Sequence, residues 1–279
     1  MEYRTLRVRA EPHALWVTLD RPERQNTITG TLLAELHAAL DEAEARPDCR
    51  LVVIEGAPGV FCTGMDFAAA TAGDAATAGD AATGGEGDPW ASAERGGAEF
   101  LRLLKRLTAV PRAVVSVVDG RAAGGGVGIA AASDLVYATP RSTFSLPEAL
   151  WGLLPCCVLP FLIRRVGFQP AYAMSLSTMP VTAERAHESH LVDYLSDRPE
   201  QLVHRLRMRL AKLDGSTIGD LKRYVRPMWE LPAERERAAV AEFARLMSAP
   251  AVRDRISAFV TAQTPPWEPP GGPRLEPGR

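Results

Sequence analysis

Residues 113–138 read AVVSVVDGRAAGGGVGIAAASDLVYA and contain two apolar runs on either side of a stretch of small residues. The runs at 113–118 and 134–138 are typical of parallel strands that are covered on both faces. Between them, the small residues from Gly124 to about Ala132 predict a helix. A strand, a helix and a second strand in this order predict an α/β architecture with right-handed crossovers.

The same alternation extends toward the amino terminus. Short apolar or alternating runs predict three more strands, at 6–9, 14–19 and 51–54. Apolar residues at helical spacing predict a helix from Thr29 or Thr31 to about Ala45.

Beyond Pro155 the pattern is mainly helical. The predicted helices cover 158–166, 169–177, 182–188, 199–213, 216–224 and 231–247. We therefore divide the chain into an α/β body over 1–195, a C-terminal helical region over 196–263 and a tail over 264–279. The tail is rich in proline and is predicted to lack regular structure.

The body is interrupted by a segment of different composition at 68–97. It contains the hexapeptide AGDAAT twice in succession, starting at Ala72, and this repeat offers no large side chain to offset the entropy of ordering. We expect a flexible surface insertion whose start is partly helical, and a helix from about Ala98 to Leu107. Two interpretations stay open, a lid or docking element and a neutral expansion.

Composition excludes several classes of protein. The 279 residues include 32 Lys and Arg against 34 Asp and Glu, and this near balance argues against a whole-chain binder of nucleic acid or anionic membranes. No apolar run approaches the roughly 20 residues of a membrane span. The four cysteines form no CxxC pair, so we expect neither a disulfide framework nor a metal site. A cytoplasmic, soluble protein is predicted.

Three segments carry residue types suited to chemistry. The glycines at 124–126 would let the backbone approach a ligand, with N–H groups that open a helix. FCTGMDF at 61–67 also follows a predicted strand. Glu148 is the lone carboxyl group of FSLPEALWGLLP at 144–155, and burial there would raise its pKa toward the range useful in proton transfer. Offsetting the dipole at a helix start is an equally open role for Glu148.

Together with Arg21, Pro22, Asn26 and the sequence RRVG at 164–167, these segments resemble the enoyl-CoA hydratase/isomerase (crotonase) superfamily in order and spacing. The resemblance runs from about Tyr3 to Phe259 apart from the insertion. It implies a spiral of ββα units followed by a C-terminal helical trimerisation region, and a homotrimer or hexamer. It implies acyl thioesters of coenzyme A or of a carrier protein as substrates, with no metal and no redox cofactor.

The resemblance also implies roles for individual residues. Main-chain N–H groups at Met65 and Gly125 match the oxyanion hole, which stabilises the enolate formed beside a thioester carbonyl. Hydratases of the family use two glutamates, and the first of these positions is Gly128 here, so that only Glu148 is left. A single carboxyl group suits isomerisation or a syn elimination better than activation of water by two carboxylates.

Other residues near these segments are weaker candidates. Asp66 is a candidate assisting residue, although holding the turn is the favoured interpretation. Cys156 is predicted to face the pocket, where a nucleophilic thiol is not expected. Trp151 and Trp267 are interpreted as core and tail packing.

A closer resemblance concerns the first of two paired crotonase-like enzymes in polyketide β-branching. It is carried by FSLPE at 144–148, LLPCCVLPFLIRR at 153–165 and PWE at 266–268. That subfamily dehydrates 3-hydroxy-3-methylglutaryl-acyl-carrier protein to the 3-methylglutaconyl form, which predicts a hydro-lyase with Glu148 as acid and base. Two alternatives stay open, a single-glutamate enoyl-CoA hydratase/isomerase and a non-catalytic interaction scaffold.

Such a substrate needs cations at two places. Candidates for holding its free carboxylate are His187, His190, Arg164 and Arg165, although structural ion pairs are the favoured interpretation of the two arginines. An acidic carrier protein would need basic residues around the entrance of the site. Candidates for that surface are Lys212, Lys222, Arg223, Arg226, Arg21 and Arg24, and a solvated helix face is the default interpretation for them.

Overall fold

The computed structural model describes residues 2–72, 93–263, 265 and 267. Within these residues the strands are β1 (Leu6–Glu11), β2 (Ala14–Leu19), β3 (Leu51–Gly56), β4 (Val60–Cys62), β5 (Ala113–Val118), β6 (Arg121–Ala123), β7 (Leu135–Ala138), β8 (Thr143–Ser145), β9 (Val181–Thr182) and β10 (Tyr194–Leu195).

The helices of the same residues follow in chain order. They are α1 (Gly30–Ala45), α2 (Phe67–Ala72), α3 (Ala93–Ala109), α4 (Gly125–Ala132), α5 (Glu148–Trp151), α6 (Leu159–Val166), α7 (Phe168–Ser177), α8 (Ala183–Glu188), α9 (Pro199–Leu210), α10 (Thr217–Val225), α11 (Ala233–Met247) and α12 (Pro250–Ala262).

The strands form two sheets. The larger has the order β1-β2-β3-β5-β7-β10, in which β1 is antiparallel to β2 and the other pairs are parallel. The smaller has the order β4-β6-β8-β9, in which β4, β6 and β8 are parallel and β9 is antiparallel. Three times in succession, a strand of the larger sheet leads into one of the smaller sheet and then into a helix. The predicted α/β class and its ββα spiral are therefore confirmed.

Both faces of the larger sheet are covered, which explains why its central strands are mostly apolar. Because side chains alternate across a strand, Val52 and Ile54 enter the main core while Leu51 and Val53 face the opposite side. There they meet α9, whose Val203 is fully buried. The body is thus a layered structure with a core on each side of the sheet.

The C-terminal helices pack back onto the body of the same chain. Helix α11 lies against α3, while α12 lies against α2 and α5. Aromatic and aliphatic side chains from these elements form a separate apolar cluster around Trp151 and Ile256. None of the helices among the described residues is both long and apolar enough to cross a membrane.

Several sequence predictions need correction. Helix α3 begins at Ala93, five residues before its predicted start and inside the predicted insertion. Residues 68–72 are helical, as expected for the start of that insertion, and 73–92 lie outside the described residues. Of the predicted tail, the structure describes Pro265 and Trp267.

The very short strands and helix α12 were not predicted from the sequence. Strands of two or three residues, as in the smaller sheet, are too short to show a period. Helix α12 was also missed, although Pro250 at its start is a common signal for the first turn of a helix.

Candidate active site

The smaller sheet brings the three candidate segments together. Strands β4, β6 and β8 are parallel neighbours, so their carboxyl ends meet at one edge of the sheet. The segment with Met65 follows β4, the glycines at 124–126 follow β6, and Glu148 follows β8. This topology places at one edge residues that lie more than eighty positions apart in the sequence.

The first segment presents a free main-chain amide at Met65. Its neighbours are used in a bridge to Ile28, since Ile28 N–H donates to the carbonyl oxygen of Gly64 (2.7 Å) and Asp66 N–H donates to that of Ile28 (3.0 Å). The Met65 N–H itself has no acceptor among the described residues. The Met65 side chain is half-buried and packs against the cluster around Trp151.

The second segment presents another free amide, at the start of α4. Gly124 N–H donates to the carbonyl oxygen of Ser145 (3.0 Å), which ties the turn to β8. Gly125 is the first residue of α4, so its N–H lacks an intrahelical partner, and the described part of the chain offers it no other acceptor. The positive end of the helix dipole therefore lies at the Gly125 N–H group.

Gly64 brings the two amides close together. Its backbone has φ of +88°, a conformation that favours glycine, and a Cβ atom built there would lie 3.1 Å from the amide nitrogen of Gly125. The chain at Met65 and the start of α4 are thus in contact. Because the N–H groups of Met65 and Gly125 have no partner among the described residues, this contact makes the two segments suited to hold an oxyanion.

Glu148 lies beside the start of α4. A Cβ atom built on Gly124 would be 3.3 Å from Glu148 Oε1, which places the carboxyl group next to the start of α4. Although the residue as a whole is half-buried, Oε2 is inaccessible to solvent and has no hydrogen-bond partner in the described part of the chain. Burial raises the pKa of Glu148 from 4.5 to about 7, against a smaller opposing effect of its own backbone amide. Such a group can both take up and release a proton near neutral pH.

Gly128 stands where the resemblance places a first glutamate, and apolar side chains surround it. A Cβ atom on Gly128 would lie 3.0 Å from Val158 Cγ2, 3.2 Å from Phe100 Cζ and 3.4 Å from Leu104 Cδ1. Phe100 Cζ would also lie 3.2 Å from a Cβ atom on Gly125. Phe100 and Val158 thus form an apolar wall against the first turn of α4, at the position where the resemblance places a first glutamate. Neither residue is recognisable from the sequence as part of a site.

Asp66 is held by structural contacts. Its Oδ1 accepts the N–H of Ala69 (3.0 Å) in the first turn of α2, and its Oδ2 accepts from the Thr27 hydroxyl (2.8 Å) and the Arg21 guanidinium (3.2 Å). Burial alone would raise the pKa of Asp66, but these hydrogen bonds and the charge of Arg21 outweigh it and lower the pKa. A carboxylate engaged in this way holds the turn and caps the helix.

Cys156 is part-buried in the turn before α6. Burial raises the pKa of its thiol to about 11, with a further contribution from the negative charges of Glu242 and Glu148. The thiol is therefore protonated at neutral pH, which does not favour a nucleophilic role. No group of His, Cys, Asp and Glu residues that could hold a metal ion occurs within the described residues.

The arginines at 164 and 165 have structural partners. Arg165 forms an ion pair with Asp193 and donates to the carbonyl oxygen of Leu191, which confirms the favoured interpretation. Arg164 forms no such pair in the described structure. It donates to the carbonyl oxygen of Ala131 (2.9 Å) and stacks over the ring of Trp229.

The two histidines predicted to hold a substrate carboxylate lie on and just after α8, and no contact places them at Glu148 in the described structure. His187 lies on α8, where its Nδ1 is 2.9 Å from the carbonyl oxygen of Val192. His190 follows α8 in a left-handed conformation. No contact joins either side chain to Glu148 in the described part of the chain.

The structure also corrects part of the predicted basic surface for docking a carrier protein. Lys222 is buried, with its ammonium group donating to the carbonyl oxygen of Leu107 (3.1 Å) and paired with Asp134 (2.6 Å). It is therefore unsuitable for docking a carrier protein. The other candidate arginines that form ion pairs have local partners: Arg21 pairs with Asp66, Arg223 with Asp220 and Arg226 with Glu230. Arg24 and Lys212 are exposed.

Known proteins share this arrangement of sequence and fold. The sequence profile of the family described as enoyl-CoA hydratase/isomerase matches residues 11–270. A bacillaene synthase dehydratase, PksH, from Bacillus subtilis is 32% identical over 95% of this chain and 97% of its own length. A mevalonyl-coenzyme A hydratase from Beauveria bassiana is 35% identical over 66% of this chain and 64% of its own length. Among solved structures, a B. subtilis protein described as a polyketide biosynthesis enoyl-CoA hydratase aligns with a TM-score of 0.81, at 30% identity over 95% of this chain and all of that one.

Proposed function

Because the chain belongs to the enoyl-CoA hydratase/isomerase family, we propose that it dehydrates 3-hydroxy-3-methylglutaryl-acyl-carrier protein to 3-methylglutaconyl-acyl-carrier protein. The observation that carries the proposal is the buried, unpaired carboxyl group of Glu148 beside the two free amides. The likeness to a polyketide dehydratase over nearly the full chain supports this reaction class.

The mechanism uses the oxyanion hole first. The thioester carbonyl oxygen accepts hydrogen bonds from the N–H groups of Met65 and Gly125, and the Glu148 carboxylate removes the proton from C2. Negative charge then develops on the carbonyl oxygen, where each amide typically contributes about 2.7–4 kcal/mol to stabilising the transition state. The enolate is formed in an apolar surrounding, which strengthens these hydrogen bonds.

The same carboxyl group completes the elimination. As the enolate collapses, a C2–C3 double bond forms and the C3–O bond breaks, and Glu148 gives its proton to the departing hydroxyl group. One water molecule leaves, and the carboxylate is regenerated. A single group on one face of the substrate makes this a syn elimination. Its pKa of about 7 suits both proton transfers.

The substrate assignment can be tested by mass spectrometry of carrier-bound thioesters. We expect loss of one water from 3-hydroxy-3-methylglutaryl-carrier protein, and much slower loss from a 3-hydroxybutyryl-carrier protein that lacks the free carboxylate. The coenzyme A thioester of the branched acid, assayed in parallel, reports which acyl carrier is accepted. Turnover of crotonyl-CoA with no reaction of the carrier-bound branched acid would contradict the proposal and favour a catabolic hydratase or isomerase.

A second glutamate should not be tolerated at Gly128. We expect Gly128→Glu to lower the free energy of unfolding by about 3 kcal/mol or more, because the side chain would be forced among Phe100, Leu104 and Val158 with no partner for its charge. Gly128→Ala, the matched control, should cost less. Thermal unfolding and crotonyl-CoA hydration would be measured together. A folded glutamate variant that hydrates crotonyl-CoA faster than the unchanged protein would disprove this prediction.

We also propose that the chain assembles into a homotrimer or hexamer. One face of α7 carries Phe168, Tyr172 and Leu176 at intervals of four residues, followed by Met179, and these side chains are 49–68% exposed in the single chain. Large apolar side chains in such a stripe are typical of a surface that a partner covers. Sedimentation analysis would contradict this if the protein were a monomer at micromolar concentration.

A further inference from the structure

The one-turn helix α5 carries Glu148, and a helix of this length is not stable without contacts to other elements. It consists of four residues, from Glu148 to Trp151, and ends at Gly152 in the left-handed conformation. Forming a single helical turn is unfavourable because several backbone dihedrals are fixed for one hydrogen bond. The orientation of Glu148 must therefore depend on what packs against α5.

Helix α12 supplies polar and apolar contacts to the end of α5. The guanidinium of Arg255 donates through Nη1 to the carbonyl oxygen of Trp151 (3.2 Å), one of the carbonyl groups that a helix end leaves without a partner. A Cβ atom built on Gly152 would lie 2.7 Å from Arg255 Nη1 and 3.1 Å from Val252 Cγ2. The two elements are thus in close contact at the end of the turn.

Aromatic rings complete the contact. The Trp151 ring packs edge to face with Phe259 of α12 (centroids 5.0 Å apart) and with Phe67 of α2 (4.8 Å). Trp267, which follows α12, packs on the same ring (4.7 Å). Aromatic pairs of this geometry contribute beyond their buried area. One turn before Trp151 in the same helix stands Glu148, so a shift of the indole ring would move the carboxyl group.

We infer that Arg255 and Phe259 are positioning residues for Glu148: they clamp α5 so that its carboxyl group stays beside the oxyanion hole and out of water. This inference rests on the proposed role of Glu148. It assigns to α12 a part in the chemistry although neither side chain touches the reacting atoms.

Two variants on α12 test the clamp, Phe259→Ala and Arg255→Met, with Phe259→Leu as the conservative rescue. A misplacement of about 1 Å can cost about 10²-fold in rate, so we expect kcat to fall by about 10- to 100-fold while KM changes by less than about threefold. Phe259→Leu should recover most of the rate. Arg237→Met, at an exposed position of α11, is the matched control and should leave kcat unchanged.

The pH dependence of kcat/KM distinguishes a role of Arg255 and Phe259 in positioning Glu148 from a role in the stability of the fold alone. In the unchanged enzyme, kcat/KM should rise with pH through a midpoint near 7, because Glu148 must be ionised to take the proton. Loosening α5 admits water, so both variants should move this midpoint to lower pH. A direct electrostatic effect of Arg255 would act the other way, since removing a cation raises the pKa of a nearby carboxyl group. Cys156 is a titratable group that interacts with Glu148, and it is unchanged in every variant.

The outcomes distinguish the inference from the function on which it rests. If Glu148→Gln is inactive while both α12 variants keep the midpoint and lose activity only in proportion to their folded fraction, the inference is wrong and the proposed function stands. If Glu148→Gln keeps its activity, the proposed role of Glu148 is wrong, and if the unchanged protein dehydrates none of the thioesters, the proposed function is wrong. A lower midpoint with a kcat defect, in protein shown by circular dichroism to be folded, supports the clamp.

Discussion

Glu148→Gln is expected to lower turnover by about 10²–10⁴-fold, the usual contribution of a positioned acid or base, and at the same time to make the protein more stable at pH 8. Activity falls because the amide cannot accept the C2 proton. Stability rises because the folded state no longer has to bury a negative charge. A loss of function with a gain of stability is unusual for a core substitution.

The size and pH range of this stability change follow from the pKa of Glu148. In the folded state the group titrates at about 7 and in the unfolded chain at 4.5, so the folded state binds the proton more tightly between these values. Stability is therefore lost as pH rises from 4.5 to 7, and the penalty above pH 7 is about 3 kcal/mol at most. The glutamine variant should show no advantage at or below pH 4.5 and the full advantage above pH 7.

Chemical denaturation of both proteins at several pH values measures this difference. Glu234→Gln, at an exposed position of α11, is the matched control and should change neither activity nor stability by much. Retained turnover in Glu148→Gln would show that Glu148 is not the acid and base, whereas a lack of turnover by the unchanged protein on every thioester tested would favour the non-catalytic scaffold. Equal stabilities at pH 8 would mean that the carboxylate is not buried in the absence of substrate.

Gly64→Ala is expected to lower kcat/KM by about 10²–10³-fold, the effect of losing one oxyanion donor. A methyl group at this position would lie 3.1 Å from the amide nitrogen of Gly125 and 3.2 Å from the carbonyl oxygen of Ala123. Relieving these contacts pushes the Met65 and Gly125 amides apart. Because φ is +88°, the alanine also costs about 1–3 kcal/mol of stability through backbone strain.

Gly59 provides a control with the same strain away from the site. Its φ is also +88°, but a Cβ atom there would meet nothing within 4 Å. We expect Gly59→Ala to show a similar loss of thermal stability with little loss of kcat/KM, each measured below the unfolding transition. If both alanine variants retain the same activity, the Met65 and Gly125 amides do not form the oxyanion hole.

Much of the α/β body could be predicted from short-range pattern. The run at 113–118 is apolar except for the buried Ser116, because both faces of its strand are covered, and a helix follows at 125–132 as the small residues predicted. The strands of the smaller sheet could not be predicted in the same way, since two or three residues carry no period and their existence depends on neighbours.

The candidate site shows the same limit. The sequence shows Glu148 as a carboxyl group among apolar residues. It does not show the wall formed by Phe100 and Val158, because these residues are distant in sequence from Gly128 and resemble any other core side chain. Burial of Lys222 was missed for a related reason. A lysine on an amphipathic helix normally faces solvent, and only its pairing with Asp134 in the folded chain makes burial tolerable.

The sequence by itself determined which groups are available: glycines that can adopt φ above +20° at 64 and 124, a single glutamate at 148, and no second one at 128. Those properties belong to individual residues and their immediate neighbours. Only the tertiary structure decided that the segments with Met65, Gly125 and Glu148 meet at one edge of a sheet, because the pairing of β4, β6 and β8 aligns parts of the chain that are far apart in sequence. It also decided the raised pKa of Glu148, since desolvation depends on everything that packs around the carboxyl group.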